Sequence, residues 1–498
     1  FMFNGVKDFG PGVSYITRRS LPRDDHRREA VSQLDAPEDA ALVTCSVRFR
    51  LTDSEDHHAG AVLAEGTGEA RLFADELQIW PEFAEPVMFL YRDMAHVLDA
   101  NYIIKVRLTS GESLELSQMG YRYEDLVREL RKLRSELMLK DMLMSESLLK
   151  DETSRQLPGF RGSFGVRSAA EREECEVRMY QSGLVIIPKS SDPIRIPYSE
   201  ISSIQAENFT LSVLTEGGRS YAFMQLGRDF EPLTRNLSRA LKELAARSQA
   251  LCKELFPLAQ SKDVWAVARL MKEGRAARRR DIDAVSTALW PQFEKRMESL
   301  GLLDSYLYLS ALARRDRVSF GFKRGLASQF EGDYIWFLAP IGEGRGKPGN
   351  AIAMESATAE GGAKATYFFR FMSRASYRTA TEEQCLEAMD QAIGQVNHSM
   401  IDVNFRREPI YLPDERLLEP RYVRYFHAVR LLPSLRVLRE SFIGRVMHVS
   451  EDQWKRDVKA LLSFNVETSD DSVKWKRAAS ASGEDDADAL ERAEDDSE

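Results

Sequence analysis

The sequence predicts an α+β protein: two repeated units of antiparallel strands, each closed by a C-terminal helix, then a helical region and a further α+β domain. The first observation is a repeat. The segment TSGESLELSQMGYRYEDLVREL, which begins at Thr109, returns without a gap as EGGRSYAFMQLGRDFEPLTRNL from Glu216. The second is that short runs with an apolar period of two precede each copy, which indicates strands. The third is that the apolar period lengthens to about three and a half inside each copy, which indicates a helix.

The composition is that of a globular chain with more than one core. The chain has 498 residues, 43% of them hydrophobic and 30% charged, and a length of this order predicts two to four domains. The net charge of -9 argues against a general nucleic-acid coat. No apolar run approaches about 18 residues, and the N-terminus lacks the pattern of a signal peptide. We therefore expect a cytoplasmic protein.

The cysteines carry no metal or disulfide signature. They lie far apart and form no CxxC pair, which argues against a zinc knuckle and against a dense disulfide framework. A reducing compartment fits this usage. The four are Cys45, Cys175, Cys252 and Cys385.

The first repeated unit, residues 41–150, follows a polar arm over 1–40. It opens with LVTCSVRFRL from Leu42, whose alternation indicates a strand, and continues through several short strand-like runs. The sequence TSGES predicts a hairpin in which Gly111 takes a positive φ. The unit then ends in a predicted helix with one apolar face, formed by Tyr123, Leu126, Val127, Leu130, Leu133 and Leu137.

The second unit, residues 160–255, has the same order of elements. Between Glu69/Glu176 and Leu130/Leu237, 17 of 62 ungapped pairs are identical. A chance register would not keep the strand period and the helix period aligned together, so we interpret the two units as a duplication.

The junction between the last strand and the helix follows the pattern hxhxhxxGxxhxhxxhGxxxxxLxxxL. A run of antiparallel strands with this ending resembles the pleckstrin-homology-like (PH-like) domains, including the bacterial PH and GRAM types, over about 42–145 and 165–250. The resemblance implies a curved antiparallel barrel that the helix plugs at one end. It places Gly120 and Gly227 where the last strand turns into the helix, where glycine permits a positive φ or close packing.

No family resemblance covers the remainder of the chain. Residues 256–316 are predicted to be helical, 317–404 to form an α+β domain and 405–465 to be helical again. The strands-then-helix order of 317–404 would also fit a third, diverged PH-like unit, although no ungapped register to the first two is found. Residues 466–498 form an acidic, polar tail that we expect to be disordered.

Two motifs suggest chemistry but depart from the patterns that the chemistry needs. GEGRGKPGN, Gly342–Asn350, is predicted to be a hairpin loop, because it departs from GxxxxGK[ST] and a strand follows it. SEDHH, Ser54–His58, is predicted to be a solvated loop, because adjacent histidines on extended chain point apart. No GxSxG and no cysteine or serine with a motif-paired histidine occurs. The sequence thus predicts no catalytic residue, no metal ligand and no cofactor.

The strongest basic cluster is GRAARRRD, Gly274–Asp281. On an unbroken helix Arg275, Arg278 and Arg279 would share one face, and together with Arg280 they are candidates for binding an anion or an acidic partner segment. The alternative is a solvated face or a surface of intramolecular ion pairs, which is the commoner role of a charge run.

The leading functional hypothesis is a non-enzymatic scaffold whose tandem PH-like domains dock a protein or peptide partner on the barrel edge or in a helix groove. The alternatives are a peripheral membrane adaptor, a nucleic-acid-associated or chromatin-type chaperone, and an enzyme with a site in 260–465. The hairpins where lipid-binding PH domains concentrate basic residues, RLTDSEDHHAGAV and RGSFGVRSAAEREE, are here acidic or neutral. Binding to membrane lipid or to nucleic acid is therefore not expected. The sequence identifies neither the partner nor the oligomeric state.

Overall fold

The structure is a computed structural model that describes residues 41–53, 61–142, 147–151, 153–166, 172–324, 333–344, 346–358, 365–403 and 406–476. The predicted polar arm, the loop Ser54–His58 and the chain from 477 onward lie outside the described residues. Residues 466–476, the first part of the predicted disordered tail, instead belong to the fold: a helix extends to Glu467, and the backbone N–H of Trp475 donates to the carbonyl of Ile443 at 2.8 Å. Within the described part of the chain, no helix is long and apolar enough to cross a membrane. The predicted α+β class is confirmed, with curled antiparallel sheets and a helical region.

The first sheet has seven antiparallel strands in the order β4-β3-β2-β1-β7-β6-β5. A helix, α1, follows its last strand. The elements are β1 (Val43–Thr52), β2 (Val62–Leu72), β3 (Glu76–Pro81), β4 (Val87–Leu90), β5 (Met94–Ala100), β6 (Ile103–Leu108), β7 (Ser113–Ser117) and α1 (Tyr123–Asp141).

The second sheet has the same topology, in the order β11-β10-β9-β8-β14-β13-β12, and is also followed by a helix. Its elements are β8 (Phe160–Val166), β9 (Glu173–Met179), β10 (Gly183–Pro188), β11 (Ile194–Pro197), β12 (Ile201–Glu207), β13 (Thr210–Thr215), β14 (Ser220–Met224) and α2 (Phe230–Leu255).

The two sheets keep the offset of the sequence repeat, the one that separates Thr109 from Glu216. From β3 to β7, the bounds of every strand recur in the second sheet at that same offset. Only the first strand is shifted further. Phe49 pairs with Leu116 in the first sheet, and Phe164 pairs with Phe223, the repeat equivalent of Leu116, in the second. Phe164 thus takes the place of Phe49 although it lies further along the chain than the repeat offset would put it. The hairpin between the first two strands is therefore shorter in the second unit.

Local details recur at the same spacing. The hydroxyl of Tyr91 donates to the carbonyl of Phe73 at 2.7 Å, and that of Tyr198 donates to the carbonyl of Tyr180 at 2.9 Å. At the strand-to-helix junction, Gly120 and Gly227 have φ values of +56° and +51°, a region that glycine enters without steric cost. The sequence prediction for these two glycines is confirmed.

The apolar face of each helix packs into the core of its own sheet. Leu126 and Leu130 of α1 are fully buried in one cluster with residues of the first sheet. Leu233 and Leu237 of α2 are buried in the corresponding cluster of the second sheet. Leu126 and Leu233, which stand at equivalent positions of the repeat, are therefore both core residues.

The rest of the chain forms a third sheet covered by helices. Its strands are β15 (Ala277–Arg278), β16 (Ser319–Arg324), β17 (Asp333–Ile341), β18 (Ala351–Thr358), β19 (Ala365–Phe369) and β20 (Phe442–Met447). Its helices are α3 (Ser261–Leu270), α4 (Arg279–Val285), α5 (Leu289–Ser299), α6 (Leu303–Leu312), α7 (Arg374–Thr379), α8 (Glu382–Asp402), α9 (Glu408–Tyr411), α10 (Asp414–Leu417), α11 (Val423–Leu431), α12 (Pro433–Ser441) and α13 (Glu451–Glu467). The strands follow each other in chain order across the sheet, so this topology differs from that of the first two sheets.

Both faces of the third sheet are buried. Trp336 and Leu338 belong to a cluster with α8, α11 and α12, whereas Ile335 and Phe337 belong to a second cluster with α3, α5, α6 and α13. Burial on both sides explains why β17 is a continuous apolar run rather than an alternating one. The sequence predicted only helix for 405–465, which is wrong at β20, because a short apolar run of this length fits a buried strand and a buried helix equally well.

Candidate functional site

The predicted arginine cluster does not lie on one helix face. Gly274 has a φ of +85°, and Ala277 then pairs with Phe320 as part of β15. Arg275 precedes this strand, Arg278 belongs to it, and the helix begins only at Arg279. The expectation of a single helical arginine face is therefore wrong, because pairing with β16 overrides the local helical pattern.

Each arginine of the cluster has an acidic neighbour within the chain. Arg278 lies 2.7 Å from Asp281 and 3.1 Å from Asp390, and Arg280 lies 3.0 Å from Asp390. Arg279 lies 3.2 Å from Asp283. The longest of these pairs, at 3.9 Å, joins Arg275 to Glu216. This geometry matches the alternative of an intramolecular ion-pair surface, while binding of an anion by these residues stays a prediction.

A groove lined by both charged and apolar side chains lies between the second unit and the third sheet's helices, with a volume of about 630 Å³. One wall is formed by β11 and the turn between β13 and β14, and the other by α8 and the junction of α11 with α12. Arg275 is the member of the arginine cluster that lines it, together with Arg195 and Arg219. The acidic side chains in the groove are Glu200, Glu216 and Asp402.

His398 bridges the two walls of this groove. Its Nδ1 contacts the carboxylate of Glu200 in the second unit, and its Nε2 lies 3.3 Å from Asp402, one turn further along α8. Burial alone would lower the pKa of His398, but the contacts with these carboxylates outweigh it and raise the pKa above the ordinary 6.5. A protonated His398 therefore joins two carboxylates that belong to different parts of the chain.

The side chains of the groove do not form an activated nucleophile. The hydroxyl of Ser434 donates to Asp402 at 2.6 Å rather than to His398, whereas nucleophilic catalysis needs the hydroxyl proton directed at a base. Within the described ranges, no group of three or more His, Cys, Asp or Glu side chains is arranged to hold a metal ion.

The four cysteines are free thiols buried in the protein. Burial raises the pKa of Cys175 and of Cys252 to about 12, and it also raises the pKa of Cys45 and Cys385. A thiol with a raised pKa stays protonated at neutral pH and is a poor nucleophile.

A second polar cluster is enclosed in the third sheet. Thr366 donates to the carboxylate of Glu355 at 3.0 Å and accepts from the indole of Trp454 at 2.9 Å. His448 lies 3.1 Å from Glu355 and stacks on Trp454. Glu355 and Thr366 are fully buried, so this network joins β18, β19 and α13 inside the fold rather than facing a substrate.

The loop Gly342–Asn350 is a hairpin connection, as predicted. It joins β17 to β18, whose ends pair at Ile341 and Ala351. Asn465 of α13 donates to the carbonyl of Gly349 at 2.9 Å, which fixes the loop to the helix. A strand rather than a helix follows, so the arrangement of a phosphate-binding loop is not formed.

An exposed apolar surface lies on the outer face of the first sheet. We call it the outer patch and define it by Arg71 of β2, Gln78 and Trp80 of β3, Met88 of β4 and Phe83 of the β3–β4 turn. Gln78 pairs with both Arg71 and Met88, so these three share one face. Trp80 is 40% exposed, Met88 52% and Phe83 96%. The guanidinium of Arg71 lies 4.3 Å from the centre of the Trp80 ring, which holds both side chains in place.

The same face of the second sheet is covered. In the register of the repeat, the positions that correspond to Arg71, Gln78 and Met88 are Arg178, Val185 and Arg195, and they pair with each other in the same way. Val185 is fully buried in a cluster that contains Leu139 and Met142, at the end of α1, and residues of the third sheet. The face that is exposed in the first unit is thus an internal interface in the second.

Sequence reasoning did not find the groove or the outer patch. His398 and Asp402 stand four residues apart on a predicted helix, but Glu200 lies 198 residues earlier and nothing local connects it to them. For the outer patch a signal was present. Gln78 and Trp80 align with Val185 and Ile187, and this disagreement between the copies marks a face with different neighbours.

Comparisons with known proteins do not assign the chain to a family. No protein-family model and no curated protein matches it. One similar solved structure is the C-terminal domain of an unknown protein from Leishmania infantum, with 16% identity over 23% of this chain and 96% of that chain, and a TM-score of 0.16. Another is the Spt16D Pob3N heterodimer, with 15% identity over 36% of this chain and 87% of that chain, and a TM-score of 0.15. Likenesses at these scores carry no functional argument.

Proposed function

We propose that the chain is a non-enzymatic scaffold built on two tandem PH-like domains, and that it docks a protein partner on the outer patch of the first. Two features support the PH-like assignment: seven antiparallel strands in the same order in both units, and a C-terminal helix whose apolar face enters the core of each sheet. Function does not follow from a fold, so the docking site depends on the chemistry of the surface itself.

One observation carries the proposal: a face that binds other parts of the chain in the second unit is exposed in the first. In the second unit that face buries Val185 and partly buries Ile187. In the first unit the equivalent strand exposes Trp80, and the neighbouring strand and turn expose Met88 and Phe83. Large apolar side chains exposed on one part of a folded protein mark a candidate interaction site.

The residue types fit a binding hot spot. Tryptophan and arginine are the residues on which binding energy most often concentrates, and here Arg71 stacks on Trp80 before any partner arrives. Burying an exposed methionine or phenylalanine side chain completely contributes about 1.5–3 kcal/mol. Since Arg71 and Trp80 are already held together, little side-chain entropy is lost when they are covered.

Site-specific photo-crosslinking tests this proposal. A photoreactive phenylalanine analogue is placed at Phe83 of the full chain, with Phe209 as the matched control, because Phe209 is an exposed aromatic residue of the second unit. We expect a discrete crosslinked protein from position 83 and not from position 209. The partner, once purified, should bind at least tenfold more weakly to the Trp80→Ala chain. Equal crosslinking from both positions, or unchanged affinity of the Trp80→Ala chain, would contradict docking at the outer patch.

A further inference from the structure

We infer that the occupant of the outer patch is an amphipathic helix that brings a carboxylate to Arg71 and a basic side chain to Glu85. This inference rests on the proposed docking function and specifies the chemistry of the partner. Its basis is a helix that already forms ion pairs with the equivalent face of the second unit and shares an apolar cluster with it.

That helix is α1, and it contacts the second unit through charges and apolar residues. Glu136 lies 2.7 Å from Arg178 of β9, and Arg134 lies 2.7 Å from Asp192 in the turn between β10 and β11. Further along the helix, Leu139 and Met142 belong to the same apolar cluster as Val185. Along the helix the order is a basic residue over the turn, an acidic residue over the strand, and apolar residues beyond.

The first unit keeps both charged contact points of this interface. In the register of the repeat, Arg71 stands at the position of Arg178, and Glu85 at that of Asp192. A proline follows the acidic residue in both turns, Pro86 and Pro193, so the turn that presents the carboxylate has the same length and the same restriction. The first face therefore offers an incoming helix an arginine and a carboxylate at the same two positions as the second.

The internal ion pair of Arg71 does not prevent this contact. Arg71 lies 2.7 Å from Glu69, and Arg178 makes the equivalent pair with Glu176 while it also binds Glu136 of α1. A guanidinium has five N–H donors, so it can bind two carboxylates at once. Arg71 can likewise keep Glu69 and bind a carboxylate from a partner.

The apolar part of the face differs between the units, so the apolar side chains of a bound helix meet other residues here than those of α1 meet on the second unit. Val185 and Ile187 are replaced by Gln78 and Trp80, and Arg195 by Met88. The apolar surface thus moves from the centre of β10 toward Trp80 and the edge strand β4. A partner helix should place its large apolar side chains on Trp80 and Met88, one to two turns after the acidic residue.

The first test uses the chain's own α1 sequence as the probe. A fluorescent peptide of residues 123–142 is titrated into the full chain, and binding is followed by anisotropy. We expect saturable binding that Arg71→Glu or Trp80→Ala weakens at least tenfold. The control is Arg228→Glu, which changes an exposed arginine of the second unit and should leave binding within twofold.

A charge exchange between peptide and chain then distinguishes loss of a specific ion pair from general destabilisation of the surface. The peptide with Glu136→Arg should bind the Arg71→Glu chain to within threefold of the original pair, which a destabilised surface would not produce. Absence of saturable peptide binding overturns the helix inference, and so does binding that Arg71→Glu and Trp80→Ala leave unchanged.

The peptide and crosslinking results together distinguish the two proposals. If the peptide fails while Phe83 still crosslinks a partner whose affinity depends on Trp80, the scaffold proposal stands and the helix inference falls. If both fail, both proposals fall. Self-association that Trp80→Ala abolishes would make a second copy of the chain the occupant and would also overturn the helix inference.

Discussion

Truncation of the helix residues at the centre of each unit gives a test of the duplicated core. Leu126 and Leu233 occupy equivalent positions and are 0% and 1% exposed. Leu→Ala removes buried methylene and methyl groups worth about 0.8 kcal/mol each, and the cavity left behind adds to the loss. We therefore expect each substitution to cost about 2–5 kcal/mol in the free energy of unfolding of its own unit.

The assay must resolve the units, because a chain with several cores does not unfold in one two-state step. Hydrogen exchange of the strand amides during native-state opening reports each unit separately. Leu126→Ala should accelerate exchange in β5–β7 and leave β12–β14 unchanged, and Leu233→Ala should do the reverse. The matched control is Leu98→Ala, at a position that is 61% exposed, with an expected effect within about 0.5 kcal/mol. A loss below about 1 kcal/mol at Leu126, or equal losses at Leu126 and Leu98, would refute the assignment of this face to the core.

Three further outcomes concern titration and the chain's end, and a fourth concerns membranes. The pKa of His398 is raised in the folded chain, so its contribution to stability is present below pH 6.5 and is lost as the pH rises through the folded-state value. His398→Gln should therefore lower the melting midpoint in acid and not in alkali. Burial lowers the pKa of His427 to about 4, so the folded chain loses stability as the pH falls from 6.5 to 4, because the unfolded chain binds this proton more readily. His427→Gln removes this loss and should protect the chain against unfolding in that pH range. Deletion of residues 477–498 should leave the melting midpoint unchanged, because their composition does not offset the entropy of ordering them, and a drop of several degrees would show that they dock. Flotation with anionic liposomes at physiological salt should recover no protein, since the net charge is -9 and Arg278 and Arg280 are already paired with Asp390; robust co-flotation would favour the membrane adaptor instead.

The repeated topology was predictable because the information that fixes it is local. The strand period, the helix period and the glycines at positive φ can each be recognised from a few neighbouring residues, as at Gly120 and Gly227. An ungapped register with a constant offset then carries each element from one unit to the other. The different length of the first hairpin escaped the alignment because it lies before the ungapped segment.

The placement of the arginines was not predictable, because distant residues decide it. Arg278 joins a strand whose partner, Ser319, lies beyond α4, α5 and α6, and its acidic neighbour Asp390 is further still. The helical spacing of the cluster is real, but a short pairing with β16 overrides it. In the same way β20 pairs with β19, although the helices from α7 to α12 lie between them in the sequence. No local sequence pattern therefore predicts this strand.

The difference between the two copies is the observation on which the proposed partner rests. Core positions such as Leu77 and Leu184 stay apolar in both units, because both sheets must bury that face. The residue types at the outer positions depend instead on what covers each sheet. The second copy carries Val185 where α1 and the third sheet's helices cover it, and the first copy has the polar Gln78 at the same place. A face that only met water would not need exposed tryptophan, methionine and phenylalanine, since polar residues would serve the alternating strand equally well. The proposed helix-binding surface rests on these apolar side chains, which stand at the edge of an otherwise polar face, beside an arginine and a turn that match an occupied interface.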